Sequence, residues 1–300
     1  MKYAIGNVQL KYGDAPEAEF SSEPRLYSGD KQMVIASAED THQEQTIESN
    51  LLGIKRAVEE CASLAQAAAK LPQSSNTLAL LDGSLILWGL AGREYPEFVI
   101  KTLLDEEMLG YLDKMRKLDI NNNFGLASYI SYPRGNDVLN SLRIEACPHT
   151  VADTDKYCAS CESRECDVLS GIQDRDLFDS LLISGQRSAL FKSRSKIIQR
   201  YGPHKVYFFY LKLEEEIARV ELPEWSAINP GKLNLIHTLL IEQCKKGQGY
   251  PVALSEAHEQ AVVTGTDRES FWQLVESELY DKKMTSSVSA KSRSKQTRGI

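Results

Sequence analysis

The spacing of apolar residues predicts the elements of the first third of the chain. Residues 3–12 alternate loosely between apolar and polar side chains and predict a strand, whereas the polar, proline-containing segment that follows, to about residue 30, predicts a loop. Within 47–68, apolar residues recur at steps of four and three, which predicts a long helix with one buried seam. Residues 77–81 are continuously apolar, as is typical of a strand buried on both faces.

The rest of the chain continues this mixture of strands and helices. A second apolar run covers 85–90, and residues 147–167 lack periodicity, which predicts an inserted loop. A Ser-, Lys-, Arg- and Gly-rich stretch from residue 284 predicts a disordered tail. The further predicted strands are 125–131, 206–213, 217–222 and 249–254; the further predicted helices are 96–118, 137–144, 174–200 (helical or broken), 233–246 and 269–280. The pattern indicates an α/β domain over 1–283 and a basic tail over 284–300.

Composition narrows the class of protein. A hydrophobic content of 42% and a charged content of 26% are typical of a globular chain. No run of eighteen apolar residues and no signal peptide is visible, so we expect a soluble cytoplasmic protein without a membrane partner. The net charge of −7 argues against coating nucleic acid by bulk electrostatics. It is compatible with local basic patches or with carboxylates gathered around a metal.

Asp82 is the sharpest single candidate for chemistry. It follows a buried apolar run, so it is expected at the carboxyl end of a strand, where open α/β sheets usually place their sites. The alternative is an Asp-Gly hairpin turn between the runs on either side. Glu59 and Glu60 flank the seam of the preceding helix and have the reach to approach a strand end, although solvated glutamates are the simpler interpretation.

Tyr250 and His258 lie at and after the short predicted strand 249–254. A neutral imidazole binds metal or shuttles protons, and a tyrosine hydroxyl orients a phosphate or a water. A histidine with a purely structural role is the alternative, and periodicity alone does not show that these residues meet Asp82.

Four of the six cysteines cluster in the segment 147–167. A C-x-x-C pair with two further thiols and His149 suggests a structural zinc clip for a loop too small to have its own core. An iron–sulfur cluster or simply free thiols are the alternatives. The four cysteines are Cys147, Cys158, Cys161 and Cys166.

Basic and hydroxyl side chains are dense between residues 185 and 196. Such a segment suits contacts with DNA phosphates, and a solvated helix face is the alternative. The candidate DNA-binding residues are Arg187, Lys192, Arg194 and Lys196.

Four short segments carry a family resemblance that the periodicity does not. They occur in the order 80–85 (Leu-Leu-Asp-Gly-Ser-Leu), 185–191 (Gly-Gln-Arg-Ser-Ala-Leu-Phe), 219–223 (Arg-Val-Glu-Leu-Pro), and 249–251 (Gly-Tyr-Pro) with 256–259 (Glu-Ala-His-Glu). Together they resemble the NurA domain family of the bacterial type, from about residue 5 to residue 279.

The resemblance implies an RNase H-like mixed sheet flanked by helices and a manganese-dependent DNA nuclease, with magnesium as the alternative ion. Family members degrade single strands and resect double-strand breaks as homodimers, together with a HerA-type hexameric helicase. The implied catalytic residues are Asp82, Glu59 (or Glu60), Tyr250 and His258, with Glu59, Asp82 and His258 as the metal ligands. Arg187 and the basic residues after it would steer the DNA strand.

The sequence departs from the family in one respect. Members carry an earlier strand that ends in another Asp-Gly-Ser, ahead of the segment matched here by residues 5–10. This chain contains one Asp-Gly-Ser, at Asp82. A start codon assigned too late and a truncated gene are the competing explanations, and either leads us to expect a missing central strand and little or no nuclease activity. The alternative function is a non-catalytic module that binds DNA or the helicase.

Overall fold

The computed structural model describes residues 2–27, 30–40, 42–72, 75–92, 95–119, 123–149 and 153–262, together with residues 270, 273, 274 and 277. The chain divides into two compact units, Met1–Gln260 and Ala261–Ile300. The predicted tail 284–300 and most of the predicted helix 269–280 lie outside the described residues.

The first unit combines strands with helices. The strands are β1 (Lys2–Lys11), β2 (Glu17–Leu26), β3 (Val34–Ala36), β4 (Glu44–Thr46), β5 (Thr77–Asp82), β6 (Phe124–Ile130), β7 (Phe191–Lys192), β8 (Val206–Lys212) and β9 (Ile217–Pro223). The α-helices are α1 (Ser49–Ala68), α2 (Trp88–Ala91), α3 (Glu97–Ile100), α4 (Leu109–Leu118), α5 (Asp137–Glu145), α6 (Thr154–Tyr157), α7 (Asp174–Leu181), α8 (Glu224–Ala227), α9 (Pro230–Lys246) and α10 (Val252–Ala261).

A mixed five-stranded sheet forms the centre of this unit. Its order is β5-β6-β9-β8-β7; β5 and β6 are parallel, and the other neighbours are antiparallel. The helix α1 packs on β5, and α9 packs on β6. Two large apolar clusters result, one containing the α1 seam and the other containing the inner side of α9. The predicted α/β architecture is confirmed as a mixed sheet flanked by helices.

The predicted helix 47–68 is confirmed because its apolar seam has a sheet to pack against. Burying a row of aliphatic side chains stabilises the helix by about 25 cal/mol for each Å² of apolar surface removed from water. The buried seam residues are Leu51, Ile54, Val58, Cys61, Ala65 and Ala68.

The predicted loop before residue 30 is wrong over most of its length. Strand β2 pairs along its whole length with β1 in an antiparallel hairpin. The prediction failed because the distal part of this hairpin, residues 11–20, is exposed on both faces. A strand without a buried face has no reason to alternate apolar and polar side chains. The base of the hairpin contacts α1, where the Asn7 side-chain amide donates a 2.7 Å hydrogen bond to the Ser63 hydroxyl.

Two later predictions also need correction. The predicted strand 249–254 is a loop that leads into α10, because a short apolar run does not distinguish a strand from a buried helical turn. The predicted helix 174–200 ends at Leu181 and continues as β7 and a 3₁₀ segment, Lys196–His204. The predicted helix 96–118 is continuous but contains a π-helical stretch, Lys101–Met108.

No helix within the described ranges is long and apolar enough to cross a membrane.

Candidate active site

Asp82 is the last residue of β5, and its side chain is exposed. It lies beside Tyr129 of the parallel neighbour β6. Gly83 then adopts φ +99°, a backbone conformation that residues other than glycine rarely adopt. Its N–H continues the hydrogen-bond ladder by donating to the Tyr129 carbonyl at 2.9 Å. The segment after Asp82 does not return as a strand, so the alternative of an Asp-Gly hairpin is excluded. The carboxylate projects from the carboxyl end of a parallel pair, as the sequence predicted.

Tyr250 reaches Asp82 from the loop between α9 and α10. Its hydroxyl donates a 3.1 Å hydrogen bond to Asp82 Oδ1, and its ring packs edge-on against Tyr129 with 5.4 Å between the ring centroids. The loop is tight, since a side chain at Gly247 would collide with the Tyr250 carbonyl oxygen. Burial, reinforced by the charge of Asp82, raises the pKa of Tyr250 above its usual value. The phenol therefore stays protonated and donates to Asp82.

Glu60 is the α1 glutamate whose pKa is affected by the charge of Asp82. Burial raises the pKa of Glu60 to about 7, against the opposing charge of Arg56 and with a further contribution from the negative charge of Asp82. Arg56 lies one helical turn earlier, with its Nε 3.3 Å from Glu60 Oε1. Glu60 is therefore close enough to Asp82 to respond to its charge, on the helix that packs on β5.

Glu59 has a different environment from its neighbour. Tyr3 donates to Glu59 Oε2 at 2.6 Å, Tyr27 donates to Oε1, and Lys55 and Arg25 lie within 3.3 and 3.5 Å. Burial alone would raise the pKa of Glu59, but the tyrosine hydrogen bonds and the charge of Lys55 outweigh it and lower that pKa. Both carboxylate oxygens are engaged, so Glu59 connects α1 to the β1–β2 hairpin.

His258 lies in α10, and its side chain is exposed. It makes no hydrogen bond or ion pair with another described residue. Across the ranges that the structure describes, no group of three or more histidine, cysteine, aspartate or glutamate side chains is arranged to hold a metal ion. The structure therefore brings together Asp82 and Tyr250, places Glu60 on the helix that packs on β5, and does not bring His258 into a metal-binding group with them.

Two acidic residues near the site were not predicted from the sequence. Glu221 of β9 is fully buried and pairs with Arg219, whose Nε lies 2.9 Å from Glu221 Oε1. Glu216, in the turn between β8 and β9, accepts hydrogen bonds from Tyr129 at 2.6 Å and from Ser131 at 2.7 Å. Both glutamates come from β9 and the turn before it. The sequence did carry a signal for Glu221, because Glu221 and Arg219 are two charged residues at alternate positions in an otherwise apolar strand.

The comparisons with known proteins identify the family. The family model for the NurA domain matches residues 4–263. The chain belongs to the NurA domain family.

A solved structure similar to this NurA-domain chain is the NurA nuclease from Sulfolobus solfataricus. The two chains share 15% sequence identity with a TM-score of 0.46, over 94% of this chain and 84% of the other. The comparison with curated protein sequences gives no match.

Among the predicted DNA-binding residues of this NurA domain, Lys192 lies far across the sheet from Asp82. Lys192 belongs to β7, the opposite edge strand from β5, and four strand spacings amount to roughly 19 Å. Lys192, Arg194 and Lys196 are exposed and alternate with less exposed neighbours. Arg187 is partly buried and donates a 2.8 Å hydrogen bond to Asn234. Burial lowers the pKa of the Arg187 guanidinium. The three exposed side chains form one basic row, residues 192–196.

The cysteine-rich insertion forms short helical turns. Cys147, Cys158, Cys161 and Cys166 are all free thiols. His149 stacks on Tyr157 with 4.2 Å between the ring centroids. Among the described residues, no three of these side chains are arranged to hold a metal ion. The structural zinc clip stays a prediction.

Proposed function

We propose that this chain is a metal-dependent deoxyribonuclease that cleaves single-stranded DNA and processes DNA ends in double-strand-break repair. The proposal includes an RNase H-like core, a homodimer in the cytoplasm, and a HerA-type translocase as partner. Membership of the NurA domain family supports the nuclease role and the DNA substrate, and the resemblance found in the sequence implies the other points. The observation that carries the proposal is the contact between Asp82 and Tyr250 at the carboxyl end of β5, with Glu60 on the helix α1 that packs on this strand.

The donor set fits a hard divalent cation. Carboxylate oxygens suit magnesium and manganese, and magnesium in phosphate-processing sites is usually bound by one or two carboxylates, the remaining ligands being waters and substrate phosphates. Asp82 and Glu60 supply two such carboxylates, and burial together with the charge of Asp82 disfavours a second negative charge on Glu60. A cation would compensate that charge. We therefore assign Mn²⁺ or Mg²⁺ to Asp82 and Glu60, and Glu59 to a structural role.

Asp82 and Tyr250 have separate roles in this proposed site. Asp82, at a rigid strand end, fixes the position of one carboxylate. Tyr250 holds that carboxylate by its hydrogen bond and keeps its proton, because burial and the charge of Asp82 raise its pKa. When bound, the metal ion would polarise the phosphate and lower the pKa of the attacking water. His258 remains the predicted third ligand, and Arg187 with the basic row is predicted to contact phosphates away from the reacting bond.

The test is cleavage of a labelled single-stranded oligonucleotide by the purified chain with and without Mn²⁺. The sequence alone led us to expect little or no activity, but Asp82 and Glu60 supply the two carboxylates that such a metal site commonly uses. We therefore propose that the chain gives Mn²⁺-dependent products that chelation abolishes. Asp82→Ala should remove cleavage and leave DNA binding intact, whereas the exposed Asp14→Ala on the hairpin is the matched control and should cleave normally. Binding without any cleavage by the wild-type chain would favour the non-catalytic module.

A further inference from the structure

A fully buried ion pair lies at the centre of the sheet. Glu221 is 0% exposed, and Arg219, two residues earlier on the same strand, is 4% exposed. Arg219 also lies 2.5 Å from Asp137 at the start of α5 and stacks over the ring of Phe208. Burying such a pair costs several kcal/mol of desolvation for each ion, and apolar residues of similar volume often serve stability as well. Stability alone therefore does not account for the pair, and its role is better judged from the groups that it contacts.

The second oxygen of Glu221 binds the turn that follows Asp82. Glu221 Oε2 accepts a 2.8 Å hydrogen bond from the Ser84 hydroxyl and a 3.0 Å hydrogen bond from the Leu85 N–H. Ser84 Oγ in turn accepts from the Ile86 N–H and from the Trp88 indole N–H, each at 3.0 Å. One donor and two acceptor positions exhaust the capacity of a hydroxyl group. Ser84 is therefore fixed in a single orientation.

Tyr201 also holds this turn. Its buried hydroxyl donates to the Leu85 carbonyl at 3.1 Å and accepts from the Leu87 N–H at 3.0 Å. The backbone immediately after Asp82 is thereby attached to β9 through Glu221 and to the 3₁₀ segment through Tyr201. This rigidity limits the directions in which the Asp82 carboxylate can point.

We infer that Glu221 is a positioning residue that acts through Ser84 to aim Asp82 at the metal ion. The inference rests on the proposed function. Through this contact, Glu221 joins segments 80–85 and 219–223, which are separated in the sequence. Arg219 holds Glu221 in place through their ion pair.

The test compares Ser84→Ala, Ser84→Thr and Glu221→Gln with the wild-type chain. Mn²⁺ binding is measured by calorimetry, and cleavage is measured as a function of Mn²⁺ concentration. Loss of a residue that orients a metal ligand typically weakens metal affinity or activity about 10- to 100-fold. We expect a loss of that size in Ser84→Ala and in Glu221→Gln, with recovery in Ser84→Thr because threonine retains the hydroxyl. Ser84→Ala avoids removing a buried charge, so it should still fold.

Ser226→Ala is the matched control. The Ser226 hydroxyl also accepts a backbone N–H, from Leu126 at 3.3 Å, but it does not contact the turn after Asp82. It should bind Mn²⁺ as the wild-type chain does. If Ser84→Ala matches the wild-type chain in Mn²⁺ affinity and cleavage, the positioning role is refuted and the proposed function stands. A wild-type chain that neither binds Mn²⁺ nor cleaves DNA would refute the proposed function, and the positioning role with it.

Discussion

The Tyr250 hydroxyl donates a 3.1 Å hydrogen bond to the Asp82 carboxylate across 168 residues of sequence. The contact joins the end of β5 to the loop before α10, and it defines one side of the candidate metal site. The tight turn at Gly247 and the edge-on packing of Tyr250 on Tyr129 hold the phenol in place.

Tyr250→Phe should lower cleavage with little loss of stability. The substitution keeps the ring and its packing, and it removes the hydroxyl that orients Asp82. We expect cleavage to fall about 10- to 100-fold and the free energy of unfolding to change by about 1 kcal/mol or less. Initial rates and denaturant titrations measure the two effects. Tyr132→Phe, on a side chain that is 60% exposed, is the control; equal rates for both variants would contradict the assignment of Tyr250.

Glu59→Gln should reduce the stability of the protein, whereas Glu60→Gln should reduce its cleavage of DNA. Glu60→Gln removes a proposed metal ligand and should reduce cleavage strongly while the fold stays stable. Glu59→Gln weakens the charge-assisted hydrogen bonds to Tyr3 and Tyr27 that attach the hairpin to α1, and it should destabilise the protein by about 1 to 2 kcal/mol. Thermal denaturation and Mn²⁺ titrations of cleavage distinguish the two. An inactive, fully stable Glu59→Gln variant would reverse the assignment.

These two glutamates show where sequence reasoning stops. The α1 seam and the strand before Asp82 were predictable because each buries a continuous apolar surface. Adjacent residues on a helix point about 100° apart, however, and both glutamates flank the seam, so periodicity does not say which one faces the strand end. That choice depends on the hairpin, whose tyrosines engage Glu59, and the hairpin was itself missed because much of it is exposed.

The contact between Tyr250 and Asp82 was unpredictable for a related reason. Residues 249–254 form a short apolar run, and their conformation depends on packing against β6 and α9 rather than on local pattern. Glu221 was visible as a charged residue in an apolar strand, but its partner Ser84 lies 137 residues away. Family resemblance located these segments, and coordinates were required to show which of them meet.

Acid should destabilise the protein through His204. The Nδ1 atom of this imidazole accepts a hydrogen bond from the Trp225 indole, and Nε2 lies 3.0 Å from Asp113. Burial lowers the pKa of His204, and also that of His237. The unfolded chain binds these protons more readily than the folded chain. The contribution of the two neutral histidines to stability is therefore complete above their unfolded pKa of about 6.5, and it is lost as the pH falls below that value.

Denaturant midpoints measured between pH 7.5 and pH 5 test this effect. His204→Gln should flatten part of the pH dependence, and the remainder is expected from His237. The exposed His42→Gln is the control and should follow the wild-type curve. Glu60, whose pKa is raised to about 7, contributes in the opposite direction in both chains. A His204→Gln variant with the same pH dependence as the wild-type chain would therefore contradict the assignment.

Removing the basic row should weaken DNA binding without changing the metal site. Lys192, Arg194 and Lys196 are exposed, and three phosphate contacts on single-stranded DNA correspond to a decrease of about 2 in the slope of log affinity against log salt. The triple alanine variant, made on an Asp82→Ala background, should show that decrease by fluorescence anisotropy. A triple alanine variant of Lys114, Arg116 and Lys117 on α4 removes equal charge elsewhere. Identical slopes for the two triple variants would exclude a specific role for the basic row.

The most direct measurement is the position of Mn²⁺ in crystals of this chain, located by anomalous scattering. We predict a manganese peak within coordination distance of the carboxylates of both Asp82 and Glu60, with the Tyr250 hydroxyl still hydrogen-bonded to Asp82. A peak that is bound elsewhere, with Asp82 and Glu60 making no contact to it, would contradict the proposed site.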